Sequence, residues 1–73
     1  MSIKDLQKQY NNLLLRHNRA AGFLDDQAIP LDERERHIPA FREIINNMED
    51  ILKDLRNIGH KVSKIQMLQG FGR

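Results

Sequence analysis

The sequence predicts an all-α protein: a helical hairpin with a short C-terminal helical extension that dimerises into a four-helix-type bundle. The main observation is a set of apolar residues repeated every seven positions between residues 38 and 65, the spacing of one face of a helix. They form three columns: Ile38, Ile45 and Leu52; Phe41, Met48, Leu55 and Val62; and Ile44, Ile51, Ile58 and Ile65. A face this wide contacts more than one neighbouring helix.

The length and composition indicate one small domain, residues 1–73, that needs support beyond its own core. A chain of 73 residues buries only about 60% of its unfolded surface. It contains no cysteine, which excludes disulfides and thiolate zinc sites. Small scaffolds without such constraints depend on oligomerisation or on an unusually good helix interface. We therefore expect a homodimer.

The first helix is predicted over about residues 2–24. Ser2 and Asp5 resemble a capping box, in which side chains satisfy the backbone N–H groups left open at a helix start. Apolar residues then recur at intervals of three and four as far as Leu24. Gly22 weakens the last turn, because glycine is less favourable than alanine in a helix by up to about 1 kcal/mol.

The second helix is predicted over about residues 32–58, after a connection that contains Pro30. Asp32 and Glu35 form a second capping signature. Pro39 follows within two turns, where a proline would remove a hydrogen bond and clash with the preceding turn. Either the helix kinks at Pro39 or residues 32–37 form a separate turn. The coherent cap at Asp32 favours one kinked helix.

The chain after the second helix admits two interpretations. Gly59 is typical of a helix end, which would leave a short third helix over about residues 61–69. Val62 and Ile65 nevertheless stay in phase with the columns before them, as expected of one continuous helix. Residues 70–73 are predicted to form a loose tail.

The inward faces of the two long helices supply the predicted core and dimer interface. The short connection between them favours antiparallel packing. The residues at these positions are Leu6, Leu13, Leu14, Phe41, Ile44, Met48, Ile51, Leu55 and Ile58. The first helix can cover only one side of the wide face, and a second copy of the chain is the simplest cover for the remainder.

No pattern in the sequence indicates catalysis, a metal or a cofactor. There is no cysteine nucleophile, glycine-rich phosphate loop or metalloprotease motif. Glu33 and His37 stand four positions apart, as two metal ligands on one helix face would. A structural metal site needs about four protein ligands, so charge pairing on an exposed face is the preferred interpretation. We expect a protein without enzymatic activity.

One histidine, His17, falls within the apolar stripe of the first helix. We interpret it as a residue at the margin of the core, with one ring nitrogen in water. The alternative is a pH-sensitive or register-setting group at a helix interface.

A set of basic residues supports an alternative function, that of a nucleic-acid-associated accessory protein. Arg16, Arg19, Lys61 and Lys64 could contact phosphates. The net charge is only +2, however, and basic ends flank an acidic middle, which favours charge complementarity within a bundle.

The C-terminal segment is a candidate docking site for another protein. Met67, Leu68 and Phe71 form an apolar cluster beyond the regular columns, and methionine and aromatic side chains suit adaptable protein contacts. The alternative is that this segment folds back over the end of the bundle as a cap.

The expected setting is soluble and cytoplasmic, without membrane contact. The longest apolar runs are three residues, far short of the roughly 20 needed to span a bilayer, and the first residues lack the apolar core of a signal peptide. The function predicted from the sequence is therefore a small helical protein–protein interaction or oligomerisation module.

Overall fold

The computed structural model describes residues 2–72, and within that range it contains four α-helices. They are α1 (Ile3–Asp25), α2 (Leu31–Glu35), α3 (Ile38–Asn57) and α4 (Lys64–Gln69). The rings of His17 and Phe41 lie 5.0 Å apart and those of Phe23 and His37 lie 4.7 Å apart; contacts in this reversed order mean that α1 and α3 are antiparallel. The predicted all-α, hairpin-like architecture is confirmed.

Helix α1 starts at the residue that the capping pattern indicates. Ser2 has an extended backbone, and its hydroxyl accepts a hydrogen bond from the Asp5 backbone N–H at 3.1 Å. Gly22 does not end the helix, which continues to Asp25. The first helix thus agrees with the sequence prediction to within one residue at each end.

Side chains hold the connection between α1 and α2. The Asp26 carboxylate accepts a hydrogen bond from the Ala28 backbone N–H at 3.0 Å, as in an Asx turn. The Arg34 guanidinium donates to the carbonyl of Ile29 at 3.0 Å and to that of Leu24 at 3.1 Å. Arg34 thereby satisfies a carbonyl at the end of α1 that has no partner within the helix.

The chain forms two helices here in place of the favoured kinked helix, an arrangement closer to the alternative of a separate turn over residues 32–37. Helix α2 begins at Leu31, directly after Pro30, so Asp32 lies in its first turn and does not cap it. The chain leaves the helix after Glu35, and α3 begins at Ile38. Pro39 then occupies the first turn of α3, where its missing N–H would have had no helical partner in any case.

Gly59 ends α3, which excludes the continuous-helix interpretation. Its φ is +85°, a conformation that favours glycine. The Gly59 N–H donates to the Arg56 carbonyl and the His60 N–H donates to the Leu55 carbonyl, both at 3.0 Å. These two bonds define a Schellman motif, which satisfies the last carbonyls of a helix.

Helix α4 begins with a capping box that the sequence analysis did not recognise. The Ser63 hydroxyl accepts from the Gln66 N–H at 3.1 Å, and the Gln66 side chain accepts from the Ser63 N–H at 3.0 Å. The helix therefore starts at Lys64, three residues after the predicted start.

The buried core lies toward one end of the hairpin. It joins the first half of α1, the second half of α3 and the C-terminal tail, and its members are Leu6, Tyr10, Leu14, Met48, Ile51, Leu52, Leu55 and Phe71. The prediction of a loose tail over residues 70–73 requires correction for the described part, because Phe71 is only 4% exposed. Arg73 lies outside the described residues.

Candidate interaction surfaces

The predicted interface residues divide into three groups by burial. Leu6, Leu14, Met48, Ile51 and Leu55 are buried; Leu13, Phe41 and Ile44 are half-buried; and Ile58 is 52% exposed. Burial varies along the column of Ile44, Ile51 and Ile58, which is half-buried at its start, buried in its middle and exposed at its end. Part of the apolar face, at Ile58, is therefore exposed to solvent in the single chain.

The C-terminal segment over residues 63–72, which we call the tail from here on, packs against one flank of α1, and we call that side the tail flank. Asn11 donates its side-chain amide to the Phe71 carbonyl at 2.9 Å, and its side-chain oxygen accepts from the Phe71 N–H at 2.6 Å. The Tyr10 hydroxyl donates to the Met67 carbonyl at 2.5 Å. These three bonds attach the tail to α1 through backbone groups of the tail.

Aromatic rings complete the tail flank. The Phe71 ring meets Tyr10 edge to face, with ring centroids 5.5 Å apart, and lies 6.0 Å from the ring of His60. His60 in turn hydrogen-bonds Gln7 at 3.2 Å. Burial raises the pKa of Tyr10 above its ordinary value, because the charged phenolate is disfavoured away from water.

The three residues of the candidate docking cluster have different environments. Phe71 is buried, Met67 is half-buried against the core, and Leu68 is 68% exposed. Phe71 and Met67 thus follow the alternative interpretation, in which the segment folds back as a cap. Leu68 lines a shallow cavity with Asn11 and Leu15 and stays accessible.

The opposite side of the hairpin is not covered by a third helix within residues 2–72, and we call it the open flank. Gln9, Asn12 and Leu13 of α1 line a groove there with Asn47, Asp50 and Ile51 of α3. A second depression lies between Arg16 of α1 and Ala40, Glu43, Ile44 and Asn47 of α3. Asn47 lines both depressions, so they adjoin each other between α1 and α3; we call the two together the open groove.

Helical phase places the two flanks on opposite sides of α1. Asn11 and Leu15 line the tail flank, whereas Gln9 and Arg16 line the open flank. At about 100° per residue, Gln9 and Asn11 point roughly 200° apart. On α3 the open flank carries Ile44 and Ile51, and the same seven-residue column continues to the exposed Ile58.

The predicted basic residues do not form one surface. Arg16 lies in the open flank beside Glu43, and Arg19 is exposed farther along α1. Lys61 lies at the other end of the hairpin, beside His60, whose partner is Gln7, and Lys64 begins α4. The arrangement separates the two pairs along the length of the molecule.

The histidines contact aromatic rings. His17 is half-buried, stacks on Phe41 and hydrogen-bonds Asn18 at 3.1 Å, a geometry that fits a residue at the margin of the core. The ring of His37 meets the ring of Phe23 edge to face. Glu33, which the sequence analysis considered as a second metal ligand beside His37, lies in α2. Arg36 and Asp32 form an exposed ion pair at 3.7 Å.

Chemical groups for metal binding do not converge in the described structure. Among residues 2–72, no three histidine or acidic side chains are grouped so as to hold a metal ion.

None of the helices in that range is long and apolar enough to cross a membrane.

Sequence reasoning missed the residues that make the tail site. Asn11 is a polar residue beside the apolar stripe of α1, and Gly70 is a glycine after α4. No local sequence pattern indicates that Asn11 binds the tail or that position 70 requires glycine. Ser63 did carry a signal, since Ser63 and Gln66 have the spacing of a capping box.

Comparison with known proteins gives no relative: no protein-family model, curated protein or solved structure matches this chain significantly.

Proposed function

We propose that this chain is a non-catalytic helical interaction module, two copies of which pair through their open flanks into a four-helix bundle. The observation that carries the proposal is the third column of α3. Ile44 and Ile51 form the floor of the open groove, and Ile58 continues their line with 52% of its surface exposed. Ile51 is already buried within the chain, so the gain would come from the exposed surface of Ile44 and Ile58, at about 25 cal/mol per Å² of apolar surface covered.

The charges along the groove favour one pairing geometry. Arg16 lies on the α1 side, whereas Glu43 and Asp50 lie on the α3 side. A two-fold axis parallel to the helices places α1 of each copy over α3 of the other. That arrangement brings Arg16 toward the acidic side of the partner, whereas an axis across the helices would stack α1 on α1.

The size of the flank sets the expected strength of pairing. Helix α3 has 20 residues and is therefore about 30 Å long. A face two helices wide measures about 20 Å across, so each copy would bury about 600 Å². This is somewhat below the roughly 800 Å² per partner of a standard specific interface, and we expect a dissociation constant in the micromolar range.

The test is light scattering on a sizing column over a wide range of protein concentration. The wild-type mass should rise from 8.6 kDa toward twice that value, and Ile58→Asp should stay monomeric while keeping its helical circular dichroism. Leu68→Asp is the matched control, because Leu68 is similarly exposed but lies on the tail flank. A wild-type chain that stays monomeric at every concentration would contradict the proposal.

The same experiment distinguishes the alternative function. Recording absorbance at 260 and 280 nm reveals co-eluting nucleic acid, since the chain has one tyrosine and no tryptophan and absorbs weakly itself. Nucleic acid that dissociates at high salt would indicate phosphate contacts. Such a result would favour an accessory role for Arg16, Arg19, Lys61 and Lys64.

A further inference from the structure

The contacts between the tail and α1 resemble the recognition of a peptide by a receptor. Asn11 forms a paired donor–acceptor contact with the backbone of one residue, Phe71, and Tyr10 binds the backbone carbonyl of Met67. Bonds to backbone groups hold a segment in register and leave side-chain pockets to select its sequence.

Two positions in the tail provide that selection. Phe71 fills the space between the rings of Tyr10 and His60. Gly70 passes so close to α1 that a Cβ at this position would come within 2.6 Å of the Asn11 side-chain oxygen. Its backbone, at φ +87° and ψ 178°, belongs to a region that only glycine occupies readily. Glycine followed by phenylalanine is therefore the pair of residues that fits these contacts.

The covalent link that carries the tail is short and has little structure of its own. Residues 60–63 are not helical, and α4 has only six residues, too few to be stable as an isolated helix. Ile65 and Leu68 are 67% and 68% exposed, so much of the apolar surface of α4 stays uncovered when the tail is docked. Such a segment can open locally without unfolding the hairpin.

We propose that the tail flank is an acceptor site for a short helix followed by Gly-Phe, which the same segment of a second copy can fill in place of the chain's own tail. Exchange of an identical element between copies creates no new contacts and is a low-cost route to association. Within one molecule the short link gives the tail a high effective concentration. Binding of a second copy's tail therefore becomes detectable when a substitution weakens the contacts of the chain's own tail. The site is separate from the open flank, so this inference does not depend on pairing there.

The experiment uses the full-length Phe71→Ala chain, in which the acceptor groups are intact and the chain's own tail is defective. The probe is a fluorescent peptide of residues 63–73, titrated with protein and followed by anisotropy. We expect saturable binding to Phe71→Ala, and binding to the wild type that is weaker by about tenfold or more, because the wild-type tail competes. There are two matched controls. A peptide carrying Phe71→Ala should not bind the Phe71→Ala chain, and the unchanged peptide should not bind a chain that carries both Asn11→Ala and Phe71→Ala.

A site-specific signal accompanies the titration. The side-chain amide resonance of Asn11 should shift in Phe71→Ala and return toward its wild-type position when the peptide is added. If Phe71→Ala does not keep its helical circular dichroism, full-length Gly70→Ala replaces it, because the added Cβ displaces the tail while Phe71 is retained. Absence of saturable binding to a folded variant would overturn the proposal, as would equal binding of the Phe71→Ala peptide.

Discussion

The two ends of the α1/α3 hairpin carry the same apolar pattern but bury it to different depths. At the tail end, where Leu6 faces the second half of α3, side chains such as Leu55 are fully buried. At the loop end, Phe23, Phe41 and Ile44 are only half-buried. The tail end has a third layer, formed by residues 63–71, whereas the loop end has only the five-residue α2, whose Leu31 is 62% exposed.

The difference shows that an apolar column predicts which residues face a partner, but not whether a partner is present. A two-helix hairpin covers one side of each helix, and full burial needs a third element. At the tail end the chain supplies that element itself. Along the open flank residues 2–72 do not supply one, and there the proposed second copy would take its place.

The largest expected effect is at the centre of the tail end. Leu55 is 0% exposed, and Leu55→Ala should lower the free energy of unfolding by about 2–5 kcal/mol, because it removes buried methyl groups and leaves a cavity. Ile44→Ala, at the half-buried loop end, should cost about 1–2 kcal/mol at protein concentrations where the chain is monomeric. Urea unfolding of both variants measures the difference. Equal losses would mean that the two ends are equally packed in solution.

A pair of aromatic variants sharpens the same comparison. Phe71→Ala should cost about 3 kcal/mol, since the ring is buried against Tyr10 and His60. Phe23→Ala should cost about 1 kcal/mol, because Phe23 is half-buried and its main ring contact is His37. Thermal unfolding followed by circular dichroism gives both values. A larger loss at Phe23 would show that the loop end is the more tightly packed.

Two glycines test the docked tail through the backbone. Gly70→Ala should destabilise the chain by about 2 kcal/mol, because its conformation is restricted to glycine and the new Cβ would meet Asn11. Gly22 lies in α1, and a Cβ added there would meet nothing within 4 Å beyond its chain neighbours and the adjacent backbone of its own helix, so Gly22→Ala should stabilise the chain by up to about 1 kcal/mol. Urea unfolding should give opposite signs, and the same sign for both would contradict the docked conformation.

The smallest effect is a pH dependence from Tyr10. Burial raises its folded-state pKa above the ordinary value of 10.0, so the unfolded chain releases this proton at lower pH than the folded chain does. The contribution of the neutral hydroxyl is complete below about pH 10 and is lost as the pH rises toward the folded-state pKa. Tyr10→Phe should be less stable at neutral pH by about 1 kcal/mol, but its stability should fall less steeply as the pH rises above the ordinary tyrosine pKa of 10.0. If the free energy of unfolding fell equally steeply with pH for the wild type and for Tyr10→Phe, the Tyr10 hydroxyl would not be buried in solution.

Local signals were enough to predict α1 and most of the inward-facing residues. Ser2 caps α1 as its pattern indicates, and the columns of α3 identify Leu55 and Ile51 as core. The boundary between α2 and α3 was one of two alternatives at Pro39, and the coherent capping signature at Asp32 favoured the kinked helix; the structure has the break, with Pro39 in the first turn of α3. The sequence alone did not decide whether Gly59 ends the helix, because Val62 and Ile65 keep the seven-residue spacing of the columns although the helix stops before them.

The site at the tail could not be predicted, because it depends on contacts between residues 60 positions apart. Asn11 and Phe71 are brought together only after Gly59 reverses the chain. No short-range sequence pattern indicates that Asn11 and Phe71 are in contact. The burial of Phe71 follows from this long-range geometry, and so does the need for glycine at position 70.

The most direct test of the open flank is an isotope-filtered nuclear Overhauser experiment on a mixture of labelled and unlabelled chains at millimolar concentration. It detects only those protons of one copy that lie in close contact with protons of another. Pairing through the open flank predicts contacts between copies at the methyl groups of Leu13, Ile44 and Ile58. Contacts confined to Leu15 and Leu68, or none between copies, would contradict it.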